Sequence, residues 1–156
     1  TDYPATTMID DNATYNDTVL NTSHSATLTG LSIGTYNYNA ISYDCVANKA
    51  QSSGTFIFAD VNVMPTTLNT KSKGEYVTAT IKLPAGYDNT IIDISTVKLL
   101  GTLSPVSGSS TGDSATVKFN RAAVGGIVSP GSNIMVVEGS TFGGVPFVGS
   151  SIMNVQ

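Results

Sequence analysis

Residues 22–48, TSHSATLTGLSIGTYNYNAISYDCVAN, constrain the fold more than any other stretch of this chain. Ser25, Thr27 and Thr29 alternate with Ala26, Leu28 and Gly30. Beyond a corner at Gly34, Tyr36, Tyr38 and Ala40 alternate with Asn37, Asn39 and Ile41. A period of two places successive side chains on opposite faces of a strand, so the stretch reads as two strands around a sharp turn, one face of each toward a core. Similar short runs recur at residues 3–10, 55–58, 76–83, 97–100, 115–119, 133–137, 145–148 and 152–155. Only residues 120–128, NRAAVGGIV, invite a helix: Asn120 suits an N-cap, and Gly125-Gly126 cut the helix off after one turn. The pattern predicts an all-β chain with at most one short helical turn.

Composition supports that expectation and narrows the partners. Charged residues make up 12% of the 156 residues, about half the usual share, while hydrophobic residues reach an ordinary 40%. Thr, Ser, Asn and Gly take up the difference, as on exposed β-faces wetted by hydroxyls and amides. The net charge of −4 and the scattered Lys and Arg exclude a basic face, so no nucleic-acid partner is expected. No apolar run approaches the roughly 20 residues needed to span a bilayer. A start at Thr1, without initiator Met or apolar leader, is expected of a processed secreted chain or a fragment of a longer one. The single Cys45 excludes an internal disulfide and is expected as a small buried side chain at a strand end. Three N-x-[ST] sequons, at Asn12, Asn16 and Asn21, crowd into one short segment as candidate N-glycosylation sites on a surface loop.

Two stretches carry resemblances. Pro4-Ala5-Thr6-Thr7, residues 24–31 (HSATLTGL), Gly34-Thr35-Tyr36-Asn37-Tyr38, and Ser42, Asp44 and Asn48 together make the first part resemble a fibronectin type III module of microbial extracellular proteins. The resemblance implies a β-sandwich over residues 1–59 with a tyrosine corner at Tyr36 or Tyr38, whose hydroxyl bonds backbone across the turn. Ile33 stands where the family has Pro, Ala47 where it has Gly, and one residue is missing between Thr35 and Tyr36. The strands that open the family's fold have almost no counterpart here. Such a gap leaves an apolar slot and an unpaired sheet edge, to be filled by upstream residues, by the chain itself or by a neighbour's strand.

Residues 60–156 resemble an Ig-like module of archaeal and some bacterial cell-surface proteins, through Met64-Pro65, residues 67–69 and 71–74, residues 81–84 and 86–88, residues 117–121, Pro130-Gly131 and residues 144–147. That resemblance implies a second β-sandwich and a cell-surface setting. Relatives of this kind often carry a calcium-like acidic loop; the corresponding residues 109–114 hold one carboxylate, Asp113, too few for a hard cation. The junction at residues 59–65 has no Gly/Ser linker, so a stiff tandem of two sandwiches is expected.

Chemistry-bearing constellations are missing. His24 is the sole His, one His with one Cys is too few for zinc, and the glycine pairs lack the Lys of a phosphate loop. No catalytic residue, metal site or cofactor is expected. The leading expectation is a structural subunit of an extracellular filament, sheath or surface layer of archaeal type, a head-to-tail homopolymer built by inter-subunit strand complementation. The candidate donor strands are residues 56–64 and the terminal residues 148–156, and the terminal stretch, with Val148, Ile152 and Val155, is the freer to reach a neighbour. The alternative is a non-catalytic accessory or adhesive module, with glycans as possible ligands, of a larger secreted or cell-surface protein.

Overall fold

The computed structural model describes residues 5–9, 13–17 and 30–156 except 44–47 and 73, with backbone alone at 5–9, 13–17 and 43. Nearly all of it is β-structure in two sheets. The large sheet holds β1 (Ala5–Ile9), β2 (Ala13–Asp17), β3 (Gly34–Tyr43), β4 (Lys49–Phe58), β6 (Thr67–Leu68), β8 (Ile92–Leu99), β11 (Gly131–Thr141) and β12 (Pro146–Val155). The small sheet holds β5 (Asp60–Met64), β7 (Tyr76–Lys82), β9 (Ser107–Ser110) and β10 (Ala115–Asn120). The order is β2-β1-β3-β4-β12-β11-β8, with β6 also on β12, facing β5-β7-β10-β9.

Alternation decides which faces meet. Val61 and Val63 of β5, Val77, Ala79 and Ile81 of β7, and Ala115, Val117 and Phe119 of β10 are buried, while their neighbours point to solvent. Opposite them the large sheet buries Ile57, Val97, Leu99, Met135, Val137, Phe147, Met153 and Val155. Each fully buried large apolar side chain contributes about 1.5–3 kcal/mol relative to exposure, so this layer dominates stability.

The chain passes from one sheet to the other at Ala59. Its N–H donates to the Val148 carbonyl at 2.8 Å, continuing the parallel pairing of Ile57 and Phe58 with Phe147 and Val148. One residue later β5 has left for the small sheet. It crosses β12 at Gly149, where a Cβ would run into the Val61 side chain and the Ala59 carbonyl. Val63 N–H then donates to Ser151 Oγ at 3.0 Å. At the far end β6 pairs in parallel with Asn154 and Val155. The boundary expected at residues 59–60 thus falls on a change of sheet, and β1 to β4 extend the same sheet that holds β12.

Several elements depart from the local pattern. The runs expected at residues 145–148 and 152–155 merge, from Pro146 on, into one strand, β12, because Gly149 and Ser150 face β11 partners and keep the ladder intact. β2, β6 and β9 were not foreseen; they are short or made of small polar residues, and pairing with a neighbour decides them. α1 (Arg121–Gly125) forms with Asn120 as N-cap, its Oδ1 accepting from Ala123 N–H at 3.0 Å. A second helical turn, of 3-10 type at Asn89–Ile91, is capped by Asp88. The strand expected at residues 25–31 falls mostly outside the described residues, and His24 and Cys45 lie wholly outside them.

Two measurements follow. Gly149→Ala should destabilise the protein by about 1–3 kcal/mol or more in denaturant titration, because overpacking at the crossing has backbone on one side. Asp88 accepts hydrogen bonds from Thr90 N–H at 2.9 Å and Thr90 Oγ1 at 2.7 Å, which hold its carboxyl below the usual range. Its folded pKa is depressed, so the cap's contribution is present at neutral pH and is lost as pH falls through that lowered value. Carboxyl-carbon NMR should therefore show Asp88 titrating below ordinary aspartates.

Candidate functional site

The outer face of the large sheet, away from the small one, carries the richest cluster of functional groups. Phe58 pairs with Val148, Val148 with Glu138, and Glu138 with Lys98, so four strands place one row of side chains side by side. Two residues along the hairpin, Tyr36 sits directly opposite Phe56, and their rings stack with centroids 5.4 Å apart and planes 18° from parallel. A groove of about 400 Å³ runs beside this stack, between Phe56, Pro146 and Val148 on one side and Thr96, Lys98 and Glu138 on the other.

A bulge in β11 shapes the floor. The register slips between Glu138 and Ser140, and the Phe147 ring lies over Gly139 so closely that a Cβ there would stand 2.8 Å from it. Thr96 Oγ1 accepts from Ser140 N–H at 2.9 Å and donates to the Asp93 carbonyl at 2.8 Å, which satisfies the interrupted ladder. Lys98 Nζ is held by Ser104 Oγ at 2.6 Å. The exposed Glu138 carboxylate makes no hydrogen bond or ion pair among the described residues. The groove therefore presents the Phe56 ring, itself stacked on Tyr36, beside one anchored ammonium and one open carboxylate. Aromatic faces take up the C–H face of a sugar ring, and charged or polar groups bond its hydroxyls.

The residues singled out by sequence are distributed as follows. Of the two candidates for a tyrosine corner, Tyr36 donates its hydroxyl to the Ser32 carbonyl at 2.7 Å. Tyr38 lies over its cross-strand partner Gly54, where a Cβ would meet the ring at 2.7 Å. Val148, Ile152 and Val155 belong to β12, which is paired with β11 along its whole length and with β4 and β6 at its two ends. Val155 is buried, Val148 faces the groove, and Ile152 is 64% exposed opposite Ile134, itself 67% exposed. Asn16 falls in β2 opposite Thr6, its side chain outside the described residues, as are Asn12 and Asn21 entirely. Among the described residues no group of three His, Cys, Asp or Glu is placed to hold a metal.

Lys98, Glu138 and Thr96 were not foreseen. They reach the aromatic pair only through pairing across β4, β12, β11 and β8, which joins residues far apart in the chain. The sole local signal was the shared face of Phe56 and Phe58.

No protein-family profile matches the chain, and no curated protein is significantly similar to it. Among solved structures, it is similar to a 1.5-MDa bacterial ice-binding adhesin studied for host cell surface retention, at 15% identity and a TM-score of 0.37, covering 100% of this chain and 54% of the other. It is also similar to SGBP-B of the Bacteroides ovatus mixed-linkage glucan utilization locus, solved with a mixed-linkage heptasaccharide, at 14% identity and a TM-score of 0.35. That match covers 99% of this chain and 37% of the other. The chain thus spans little more than half of one structure and about a third of the other, and both likenesses are loose.

Tyr36→Phe separates the two roles of this residue. Removing the hydroxyl should cost about 0.5–1.5 kcal/mol in chemical denaturation through the lost bond to Ser32. The ring stays over Phe56, so any ligand that stacks there should keep its affinity.

Proposed function

We propose that the chain is a non-catalytic adhesive or accessory module of a larger secreted or cell-surface protein, and that the groove beside Tyr36 and Phe56 binds carbohydrate. The observation that carries this reading is the Phe56 ring, stacked on Tyr36, lining a groove with Lys98 and Glu138 on the outer sheet face. It supplies the two things a neutral sugar needs: a flat apolar surface and hydrogen-bonding groups at its border. The open shape of the groove suits internal units of a polysaccharide better than a small molecule buried on all sides. The low charge of the chain and its Thr/Ser/Asn-rich surface suit an extracellular setting. Among the described residues no helix is long and apolar enough to cross a membrane.

A second reading, assembly with a neighbouring copy, draws on one specific observation. No described side chain of β3 is buried, and in β4 only Ile57 is. A strand from another copy laid against that hairpin would cover Tyr38, Ala40 and their neighbours. The C-terminal strand is an unfavourable donor, because release of β12 breaks its pairing on both sides and exposes Phe147, Met153 and Val155. Edges are blunted as well: β9 has four residues, and Asp93 turns its carboxylate onto Ser95 N–H and Oγ beside the β8 edge. The adhesive reading is therefore the favoured one.

A panel of immobilised neutral glycans tests it directly. The folded chain should bind at least one β-linked glucan or comparable polysaccharide, and Phe56→Ala should weaken that binding at least tenfold with an unchanged circular dichroism spectrum. Binding to no glycan, or binding indifferent to Phe56→Ala and Glu138→Gln, would overturn the assignment. Analytical ultracentrifugation of the same sample checks the second reading, which requires concentration-dependent polymer.

A further inference from the structure

We propose that the pocket around Arg121 is a separate binding site for a carboxylate, carried by an acidic sugar of uronate type. The pocket has a volume of about 260 Å³ and is lined by Leu68, Thr70, Ser72, Gly74, Arg121 and Ala122. It lies where the loop after β6 meets the start of α1. Asn120 caps that helix, and the Arg121 N–H is fixed to the Glu75 carbonyl at 3.0 Å, so the arginine side chain leaves from a rigid point.

The guanidinium is held but not neutralised. Its Nη2 donates to the Asn69 carbonyl at 3.2 Å. Nη1 lies beside Gly74, where a Cβ would stand 3.1 Å away, so that glycine keeps the space open. Nε is buried and has no hydrogen-bond partner. No ion pair to Arg121 forms among the described residues, although the protein carries 11 Asp and Glu against 7 Lys and Arg. The nearest acidic residue in sequence, Glu75, is engaged by the Tyr76 hydroxyl, whose pKa it raises. A half-buried guanidinium without a counter-ion is a standing cost, and an anion bound at its Nη groups from the pocket offsets it.

The other groups choose the anion. A guanidinium fork matches the planar oxygens of a carboxylate, and Arg serves this geometry better than Lys. The Ser72 hydroxyl accepts from Gly74 N–H at 3.4 Å and keeps its proton for an incoming oxygen. Thr70 Oγ1 is committed to the Gln156 carbonyl at 3.0 Å and closes the pocket on that side. With one hydroxyl donor and one guanidinium, a monoanion is matched and a phosphate dianion is under-supplied. The exposed Ala122 methyl offers the apolar contact for the C–H face of a single ring, over the buried Leu68. Lys71 belongs to the same loop and adds attraction for an acidic polymer.

This site stands apart from the aromatic groove. The groove lies at the first residues of β12, and β6 beside the pocket pairs with the last two. At roughly 3.3 Å per residue, the strand separates them by about 25 Å, so one sugar cannot occupy both.

The test is an NMR titration of the whole chain at constant ionic strength, following the Arg121 Nε–Hε signal and the Ser72 and Gly74 amides. D-glucuronate should give a saturable shift, D-glucose none, and sulfate or inorganic phosphate a weaker, non-saturating one. Arg121→Lys should weaken glucuronate at least tenfold, and Ser72→Ala several-fold, while Phe56→Ala leaves it unchanged. The last variant separates failure of this site from failure of the groove. A linear response to every salt alike, or no response, overturns the proposal. Saturation by phosphate ahead of glucuronate overturns the carboxylate, and equal affinity for acetate or a free peptide C terminus overturns the sugar. If Arg121→Lys does not fold, the wild-type and Ser72→Ala titrations still decide.

Discussion

Everything in the large sheet depends on the crossing of β5 over β12 at Gly149. Two sheets that share one chain must exchange it somewhere, and the exchange costs a ladder position on each side. Here the cost is small, because Ala59 completes its pairing with Val148 before the chain leaves, and Val63 finds Ser151 Oγ immediately after. The backbones come together so closely that only a residue without a side chain fits beneath. With that contact in place, β4 is fixed against the first residues of β12 and β6 against the last. The aromatic hairpin is thereby held in register with β11 and β8, which hold the charged side of the groove.

That dependence explains what was legible in the sequence and what was not. Strands with clean alternation, such as YVTATIK in β7 and ATVKFN in β10, announced themselves because one face of each is buried. Asn120 announced the short helix by its own chemistry. The groove was illegible for the opposite reason. Lys98, Glu138 and Phe56 are brought together by long-range pairing, and nothing within a few residues of any of them hints at the other two. The split of β12 into two short runs failed at Gly149-Ser150-Ser151, small residues that look like a turn. Gly149 is there to let another strand pass.

Glycine recurs as a device wherever an aromatic ring must lie flat. Tyr38 covers Gly54 across the β3–β4 pair, and Phe147 covers Gly139 across the β11–β12 pair. In each case the ring shields backbone that a bare strand would leave to water, and the strand gains packing that glycine alone lacks. The two instances differ in consequence. Phe147 is buried and belongs to the core, whereas Tyr38 stays half-buried on a hairpin that buries almost nothing else. The hairpin is thus stiffened locally without a packed layer of its own, and it draws its placement from β12 and from the bond between Thr35 Oγ1 and the Tyr87 hydroxyl at 3.1 Å.

If the two proposed sites bind as argued, the stiff ladder between them has a physical consequence for adhesion. β12 is the one strand that reaches from the aromatic groove to the neighbourhood of Arg121, and it is paired along its length, so the distance between the two sites cannot vary much with thermal motion. Two weak sites at a fixed separation engage a repeating polymer only where its units recur at that spacing. Selectivity then comes from geometry rather than from tight binding at either site. On the proposed carbohydrate reading, a neutral polysaccharide would meet the groove alone and dissociate quickly. One presenting an acidic sugar about 25 Å further along would be held twice, the second contact costing no further loss of overall freedom.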